Sequence, residues 1–341
     1  MEKKKLGIGV IGCGRVAPYH FNAINAIDRC ELVALCDADK NRLEEAGKEQ
    51  KVTLYDDYEK MLKDPNVDVV SVCTPHGSHA KHAIMAAKAG KHIITEKPMA
   101  MNVKDADEMI SEAEKNKVRL FVIKQNRYNP PIVKLKEAVD KGRFGKMVLL
   151  NTTVFWTRSQ DYFDMDKWRG TTSDDGGVMM NQASHHIDLL HWLGGDVKSV
   201  FAYGDTRTHD LEVEDTAVAV LKFKSGAMGV IQGTTCAFPK NLEGSVTVLG
   251  ETGSVKVGGF AVNKVDTWEF KDQAQGDEWV KQMKTEPPTV YGFGHQELYR
   301  ELVDAIIDGK DAMMTGDEGR KSLELIMAIY ESIKTGKEVT L

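Results

Sequence analysis

The sequence contains no apolar run long enough to span a membrane. Its charged first residues precede an apolar segment that is short and interrupted by glycine, which is not the pattern of a secretory signal peptide. Internal repeats, low-complexity tracts and coiled-coil heptads are absent as well. These absences argue against a membrane-spanning, secreted or repeat protein, and they predict a globular protein of the cytoplasm.

Cysteine and positive charge are also scarce. The five cysteines are an odd number and no pair has the spacing of metal ligands, so we expect small core residues in a reducing compartment and no metal site. The formal net charge is −6, from 45 basic and 51 acidic side chains. This balance argues against a nucleic-acid-binding protein driven by bulk charge. The predicted partners therefore include neither nucleic acid nor a membrane.

What the sequence does have is a glycine-rich turn near its start. The apolar segment 6–11 predicts a buried strand, and Gly12–Ala17 places two glycines after it and a small residue at the start of a helix. A frame on Gly7 and Gly9 would put glycines inside the strand, so we prefer the later frame. Such a turn lets the backbone approach a pyrophosphate that faces a helix N-terminus. The turn residues predicted to bind a dinucleotide are Gly12, Gly14, Arg15 and Val16.

An acidic residue follows at the distance that this kind of site requires. Asp37 ends the second predicted strand, about 20 residues beyond the glycines. A carboxylate at this position accepts hydrogen bonds from the adenosine ribose and repels a 2′-phosphate, so the predicted cofactor is NAD. Because Lys40 and Arg42 are close by in the sequence, an NADP-dependent reductase stays open as an alternative.

Further predicted strands end in polar residues. Strand 67–73 is followed by a Thr-Pro pair and strand 90–95 by Glu-Lys-Pro. Ligands of open α/β sheets bind outside the carboxyl ends of the strands. The residues that we expect on this cofactor side are Thr74, Pro75, His79, Glu96 and Lys97. The histidines 76, 79 and 82 are spaced by threes, but this spacing drifts around a helix and no acid or cysteine completes a metal set.

The pattern of elements changes near the middle of the chain. Six strands separated by helices predict a doubly wound parallel sheet, which gives an α/β Rossmann domain for NAD over residues 1–125. Six more strands between residues 147 and 257 follow one another with few helices, and two helices end the chain. Residues 126–341 are therefore predicted to form an α+β domain on a large, mainly antiparallel sheet, for substrate binding and oligomerisation.

A polar stretch in the second half also suggests a site. From Asn181 onward the sequence predicts a helix, on which Asn181, His185 and Asp188 would share one face. A buried histidine held by helical hydrogen bonds is one interpretation. A cleft is the other, because polar groups on an otherwise apolar helix need partners. A metal face made by His185, Asp188 and His191 is disfavoured, since a dinucleotide already provides redox chemistry.

Taken together, these motifs resemble the glucose–fructose oxidoreductase and inositol dehydrogenase family (Gfo/Idh/MocA). The motifs stand in the family's order: Gly12–Ala17, Thr74-Pro75, Glu96-Lys97-Pro98 and His185-His186-Ile187-Asp188. The resemblance implies that Lys97 and His185 are the catalytic residues and line the catalytic cleft. The family often has an aspartate four residues before that histidine, where this chain has Asn181. An amide can orient a hydroxyl or an imidazole but cannot stabilise an imidazolium by charge.

The chain is most similar to the nucleotide-sugar branch of that family. Members of this branch use NAD to oxidise C3 of UDP-2-acetamido-2-deoxy-glucuronate in bacterial surface-polysaccharide biosynthesis. The resemblance lies in residues 126–130, 168–170, 180–186 and 214–216, and it implies a homotetramer or homodimer. Arginines suit a carboxylate or diphosphate, and aromatic rings can stack on a ring. The predicted substrate-binding residues are Arg127, Tyr128, Asn129, Trp168, Arg169, Asn181 and His185.

The expected reaction is hydride transfer from the sugar carbon to NAD. His185 would take the hydroxyl proton, and Lys97 would donate a hydrogen bond to the reacting oxygen, although these two roles could be exchanged. Two alternatives stay open beside the NADP-dependent reductase. One is a dehydrogenase of a free polyol or sugar, of the inositol type. The other is a non-catalytic regulator that binds NAD.

Overall fold

The computed structural model describes residues 5–287, 289–292 and 294–341, so the charged residues at the very start of the chain lie outside the described part. The chain forms two compact units. The first combines Met1–Lys124 with His295–Lys321, and the second combines Gln125–Gly294 with Ser322–Leu341. Among the described residues, no helix is both long and apolar enough to cross a membrane.

The first unit is built on a six-stranded parallel sheet. Except for the short edge strand Thr53–Tyr55, its strands are largely buried and therefore read as nearly continuous apolar runs. The elements in chain order are β1 (Leu6–Ile11), α1 (Ala17–Asn25), β2 (Cys30–Cys36), α2 (Lys40–Gln50), β3 (Thr53–Tyr55), α3 (Tyr58–Leu62), β4 (Val69–Val72), α4 (His79–Lys88), β5 (His92–Thr95), α5 (Val103–Lys115) and β6 (Leu120–Val122). The strand order β3-β2-β1-β4-β5-β6 confirms the predicted doubly wound sheet.

The second unit is built on an eight-stranded sheet in the described part of the chain. Its strand order is β13-β12-β11-β7-β10-β9-β8-β14, and only the pair β7–β10 is parallel, which confirms a mainly antiparallel sheet. From residue 130 onward, the elements of the chain are α6 (Pro130–Asp140), β7 (Met147–Phe155), α7 (Gln160–Asp164), α8 (Ser184–Gly194), β8 (Val197–Asp205), β9 (Thr216–Phe223), β10 (Met228–Thr234), β11 (Glu243–Gly250), β12 (Gly253–Gly258), β13 (Lys264–Phe270), α9 (Asp277–Lys281), α10 (Gly294–Asp308), α11 (Gly316–Thr335) and β14 (Val339–Thr340).

Most of α10 and the start of α11 cluster with the first unit, whereas the sequence-based division assigned them to the second. The physical reason is pairing beside β6. Phe121 forms a bridge with Thr315, and the Val122 N–H donates to the Met314 carbonyl at 3.3 Å. Gly319 packs so closely on Val122 that an added Cβ would lie 2.4 Å from it. These contacts join residues that are distant in the sequence, so the order of elements alone could not predict them.

Candidate active site

The glycine turn lies where β1 meets α1. Gly12 has a φ of +93°, and a Cβ on it would lie 2.6 Å from the main chain of Cys73 at the end of β4. Only glycine fits there, because both the backbone conformation and the close approach exclude a side chain. By contrast, no described atom lies within 4 Å of a Cβ built on Gly14. The turn is thus tight on its sheet side and open at Gly14, which fits the approach of a pyrophosphate.

Asp37 is tied to this turn. Its carboxylate accepts hydrogen bonds from the Cys13 N–H at 2.7 Å and from the Asp39 N–H at 2.8 Å. The carboxylate therefore sits beside the glycine turn, as a ribose-binding acid requires. Arg42 forms an ion pair with Asp39 at 3.5 Å, so a nearby negative charge offsets this guanidinium. The arrangement fits an unphosphorylated ribose better than a 2′-phosphate.

His79 has a different environment from the one that we expected of a cofactor contact. It is fully buried, and its ring nitrogens lie 2.8 Å from the Thr74 carbonyl and 2.7 Å from the Pro98 carbonyl. Burial lowers the pKa of His79. The ring therefore connects the loop after β4 to the loop after β5. The described histidines 76, 79 and 82 do not form a cluster of metal ligands.

Glu96 and Lys97 follow β5 directly. Lys97 is half-buried, whereas Glu96 is buried and its carboxylate is used inside the protein. One oxygen accepts from the Lys97 N–H at 3.0 Å, and the other lies 3.0 Å from His20 Nε2. Glu96 was predicted on the cofactor side, but these contacts give its carboxylate an internal role. The structure thus adds His20, on α1, as a partner of the residue that precedes the predicted catalytic lysine.

The network behind Glu96 was not predicted from the sequence. His20 Nδ1 lies 2.7 Å from the Tyr299 hydroxyl and 3.0 Å from the Ser71 hydroxyl, and these hydroxyls are 2.8 Å apart. One signal was available, because His20 lies among the apolar residues of the buried face of α1. Its partners could not be read from the sequence, since Ser71 and Tyr299 are separated by more than two hundred residues.

The pKa values of His20 and Glu96 are shifted in opposite directions, each toward the charged form of its side chain. Burial by itself would raise the pKa of Glu96, but interactions with His20 and His295 outweigh it and hold this pKa well below its ordinary value. Burial would likewise lower the pKa of His20, but Cys73, Tyr299 and Glu96 outweigh it and raise this pKa well above its ordinary value. These directions favour an imidazolium–carboxylate pair in the buried site that precedes Lys97.

The helix that carries His185 begins later than predicted. α8 begins at Ser184, and Asn181 lies in the preceding turn, where its N–H donates to the Gly177 carbonyl at 2.9 Å. The expectation that Asn181 shares a helical face with His185 is therefore wrong. The Asn181 amide donates instead to Asp175. A residue of α11 holds this turn, because the Tyr330 hydroxyl accepts hydrogen bonds from the Gly177 and Met180 N–H groups.

His185 is buried and has an amide neighbour that the sequence did not indicate. Its Nε2 lies 3.3 Å from the amide nitrogen of Gln125, which is also buried. In the tautomer that carries its proton on Nδ1, Nε2 of His185 accepts a hydrogen bond from this amide nitrogen. A neutral imidazole with its lone pair on Nε2 is the form that can accept a proton from a hydroxyl.

Asp188 and Arg127 form a buried ion pair in the second unit. Arg127 Nε and Nη2 donate to the two carboxylate oxygens at 2.8 and 2.9 Å, and the side chains are 1% and 2% exposed. The guanidinium also lies 4.8 Å from the ring centre of Trp192. This environment gives Arg127 an internal partner, and its contact with a substrate stays a prediction. The pair also fastens the short turn Gln125–Tyr128 to α8 and so holds Gln125 beside His185.

The remaining predicted substrate residues lie in two places in the second unit. Asn129 is buried and its amide donates to the Ala261 carbonyl at 3.2 Å, next to the half-buried Tyr128. Arg169 lies 4.5 Å from the ring centre of Trp168 and donates to the Tyr162 hydroxyl at 2.7 Å. No described contact assigns these side chains to a substrate, so their binding roles stay predictions.

Comparison with known families and structures agrees with this architecture. Residues 6–124 match the model of an oxidoreductase family with an NAD-binding Rossmann fold (GFO_IDH_MocA). Residues 136–341 match the C-terminal alpha/beta domain of the same oxidoreductase family. Myo-inositol 2-dehydrogenase from Thermotoga maritima is 32% identical over 341 residues, which cover 98% of each chain.

Two solved structures are more similar in sequence. The WlbA dehydrogenase from Bordetella pertussis, in complex with NADH and UDP-GlcNAcA, is 40% identical with a TM-score of 0.94, covering 100% of this chain and 99% of that one. The WlbA dehydrogenase from Chromobacterium violaceum, in complex with the same two ligands, is 43% identical with a TM-score of 0.94, covering 100% and 97%.

Proposed function

Because the chain belongs to the Gfo/Idh/MocA oxidoreductase family, we propose that it oxidises C3 of UDP-2-acetamido-2-deoxy-glucuronate to the 3-keto sugar. The coarser statement is that the chain is an NAD-dependent sugar dehydrogenase. The observation that carries the finer proposal is the similarity over the whole chain to two dehydrogenases solved with NADH and UDP-GlcNAcA. The family match sets aside the alternative of a non-catalytic regulator.

The residues of this chain fit the cofactor at the turn after β1. The backbone at Gly14 would receive the pyrophosphate, and the Asp37 carboxylate would bind the ribose hydroxyls. Bound NAD supplies the acceptor for the hydride. The protein's own task is then to bind the sugar, to orient its C3 hydroxyl and to take up the proton that leaves with the hydride.

We assign the uptake of that proton to His185 and the stabilisation of the reacting oxygen to Lys97. Nε2 of His185 carries the lone pair that a general base needs. The Lys97 ammonium would donate a hydrogen bond to the oxygen as negative charge develops on it. Neither Lys97→Met nor His185→Ala should keep more than about a hundredth of wild-type kcat, the usual scale for a positioned acid–base group. Wild-type turnover by both variants would refute this assignment.

A free polyol or sugar is the second candidate substrate, and the full-length similarity to myo-inositol 2-dehydrogenase favours it. The two candidates differ in their product. After incubation with NAD and UDP-2-acetamido-2-deoxy-glucuronate, reduction with borodeuteride followed by NMR would place deuterium at C3 if the proposal holds. Deuterium at another carbon would show that the chain oxidises a different position of the sugar. No oxidation of the nucleotide sugar, with turnover of a polyol, would favour the second candidate.

A further inference from the structure

Lys97 is linked through its own main chain to a buried charged network in the first unit. The two oxygens of the Glu96 carboxylate have separate partners, since Oε2 accepts from the Lys97 N–H and Oε1 faces His20 Nε2, each at 3.0 Å. His295 Nε2 lies 3.9 Å from the same Oε1. The negative group therefore lies between the lysine's backbone and the imidazolium.

The imidazolium is fixed in turn by elements from three parts of the unit. His20 belongs to α1, whose N-terminus follows the glycine turn, while Ser71 belongs to β4 and Tyr299 to α10. His20 and Tyr299 are both fully buried, and their rings meet edge to face at 5.7 Å. A side chain held on both ring nitrogens cannot rotate freely, so it gives Glu96 a fixed anchor.

For the effect on Lys97, the positions of the two charges in the His20–Glu96 pair matter more than the net charge of the pair. The pair is neutral as a whole, but its negative member is the one bonded to Lys97, and its positive member contacts the opposite carboxylate oxygen. A carboxylate on the residue before a lysine favours the ammonium form of a lysine side chain that lies close to it. Removing the carboxylate also removes the reason for His20 to stay protonated in a buried site, so both charges would be lost together.

We propose that Glu96 is a positioning residue for Lys97: anchored by His20, it holds the main-chain N–H after β5 and keeps a fixed negative group beside the lysine. The inference rests on the role that the proposed function gives to Lys97. It adds that this role depends on a charged pair which does not touch the reacting atoms. Glu96 would then act on orientation and protonation of the lysine rather than on cofactor binding.

The first unit offers a matched control at the opposite edge of the same sheet. Asp68 precedes β4, and its carboxylate accepts from the Gly7 N–H at 2.9 Å. Glu96→Gln and Asp68→Asn each replace a carboxylate that accepts a main-chain N–H of the first unit by an uncharged amide. Only the first lies beside Lys97. A purely structural role would let the two variants behave alike.

The test measures the pKa of Lys97 in the cofactor-free protein by labelling with acetic anhydride across a pH series, followed by peptide mass spectrometry. Loss of the carboxylate should lower this pKa by about one unit in Glu96→Gln, while Asp68→Asn leaves it unchanged. With substrate and NAD, kcat/KM should fall at least about tenfold in Glu96→Gln, and its alkaline limb should move to lower pH. Binding of NADH, followed by its fluorescence, should stay as in the wild type.

An unchanged pKa of Lys97 in folded Glu96→Gln would overturn the inference, as would equal effects of the two variants. If Glu96→Gln does not fold, Glu96→Asp decides, because its shorter carboxylate cannot reach both partners. It should lose about tenfold in kcat/KM with normal NADH binding, and full activity would overturn the inference. The labelling needs no substrate, so it stays informative even if the proposed sugar is wrong.

Discussion

At the scale of single residues, two buried carboxylates each pair with a basic side chain of their own unit. Glu96 pairs with His20, and Asp188 pairs with Arg127. A buried ion pair has already lost its water, so removing one partner leaves an uncompensated charge in the interior. The predicted roles of Lys97 and His185 therefore depend on neighbouring side chains that need not touch a substrate.

The first prediction concerns the pair of Arg127 and Asp188. Asp188→Asn should lower the free energy of unfolding by about 3–5 kcal/mol, because it leaves the buried guanidinium without its counter-charge. Denaturant titration measures this loss. Asp205→Asn is the control, since Asp205 pairs with Arg207 at the surface and should change stability by less than about 1 kcal/mol. If Arg127 bound substrate instead, Asp188→Asn would raise KM without a large loss of stability.

The second prediction concerns cofactor choice. Asp37→Ala should raise the ratio of kcat/KM for NADP to that for NAD by at least about tenfold, because it removes the carboxylate that repels a 2′-phosphate. Steady-state kinetics with both cofactors measure the ratio. Asp39→Asn removes a neighbouring charge but keeps the oxygen that caps α2, so it should leave the ratio near the wild-type value. An unchanged ratio in Asp37→Ala would mean that another group selects the cofactor.

At the scale of elements, local patterns predicted which segments form strands and helices. They did not predict the tertiary contacts that fix where these elements begin and end. The turn before α8 shows the difference. The periodicity of residues 181–190 favours a helix throughout, but contacts with Tyr330 and Glu214 keep the first residues in a turn. The strands β13 and β14 were likewise not predicted. β14 has only two residues and is defined by pairing with β8, from the other end of the unit.

The third prediction follows from the environment of Glu214. This carboxyl accepts from the Met179 N–H at 3.1 Å and the Tyr330 hydroxyl at 3.0 Å. Burial nevertheless raises its pKa to about 7. As pH rises from about 4.5 to 7, the folded protein therefore keeps a proton that the unfolded chain has lost, and the free energy of unfolding decreases. The loss is complete above pH 7.

Glu214→Gln should remove this dependence. The amide keeps the acceptor oxygen and carries no charge, so the variant should be more stable than the wild type at about pH 8, by up to about 3 kcal/mol. Near pH 5 the two proteins should unfold at similar temperatures. Thermal unfolding across a pH series measures the difference. A variant that is less stable than the wild type at the higher pH would show that Glu214 is held as a favourable carboxylate.

At the scale of the whole molecule, the fold was largely predictable because each unit repeats one kind of element pattern. Apolar strands alternating with amphipathic helices predicted the parallel sheet, and strands joined by tight turns predicted the antiparallel one. What the sequence could not show are the long-range partners. The ion pair of Asp188, the network around His20 and the packing of residues 295–321 all join segments that are far apart in the chain.

The fourth prediction concerns self-association. One face of the large sheet exposes apolar side chains on adjacent strands, where Tyr203 is 72% exposed and pairs across β8 and β9 with Val218. Val220 and Met228 extend this surface. Apolar surface of this extent on neighbouring strands is typical of an interface, and we expect a second copy of the chain to cover it.

Tyr203→Asp should therefore shift the protein toward a smaller species in sedimentation velocity. Trp279→Asp is the control, because Trp279 is an exposed aromatic residue on α9, which packs against β13 at the end of the strand order far from β8 and β9, and its replacement should leave the species unchanged. A wild-type protein that sediments as a monomer would contradict the expectation. A variant that keeps the wild-type size would place the interface elsewhere.

The central claim is that this chain is an NAD-dependent dehydrogenase whose substrate is a nucleotide sugar. The most direct test compares kcat/KM for UDP-2-acetamido-2-deoxy-glucuronate and for myo-inositol, with NAD at saturation and the absorbance of reduced nicotinamide as the signal. We expect the nucleotide sugar to be preferred by at least about a hundredfold, because its additional charged groups offer binding energy that the polyol lacks. Equal or greater efficiency with myo-inositol would contradict it.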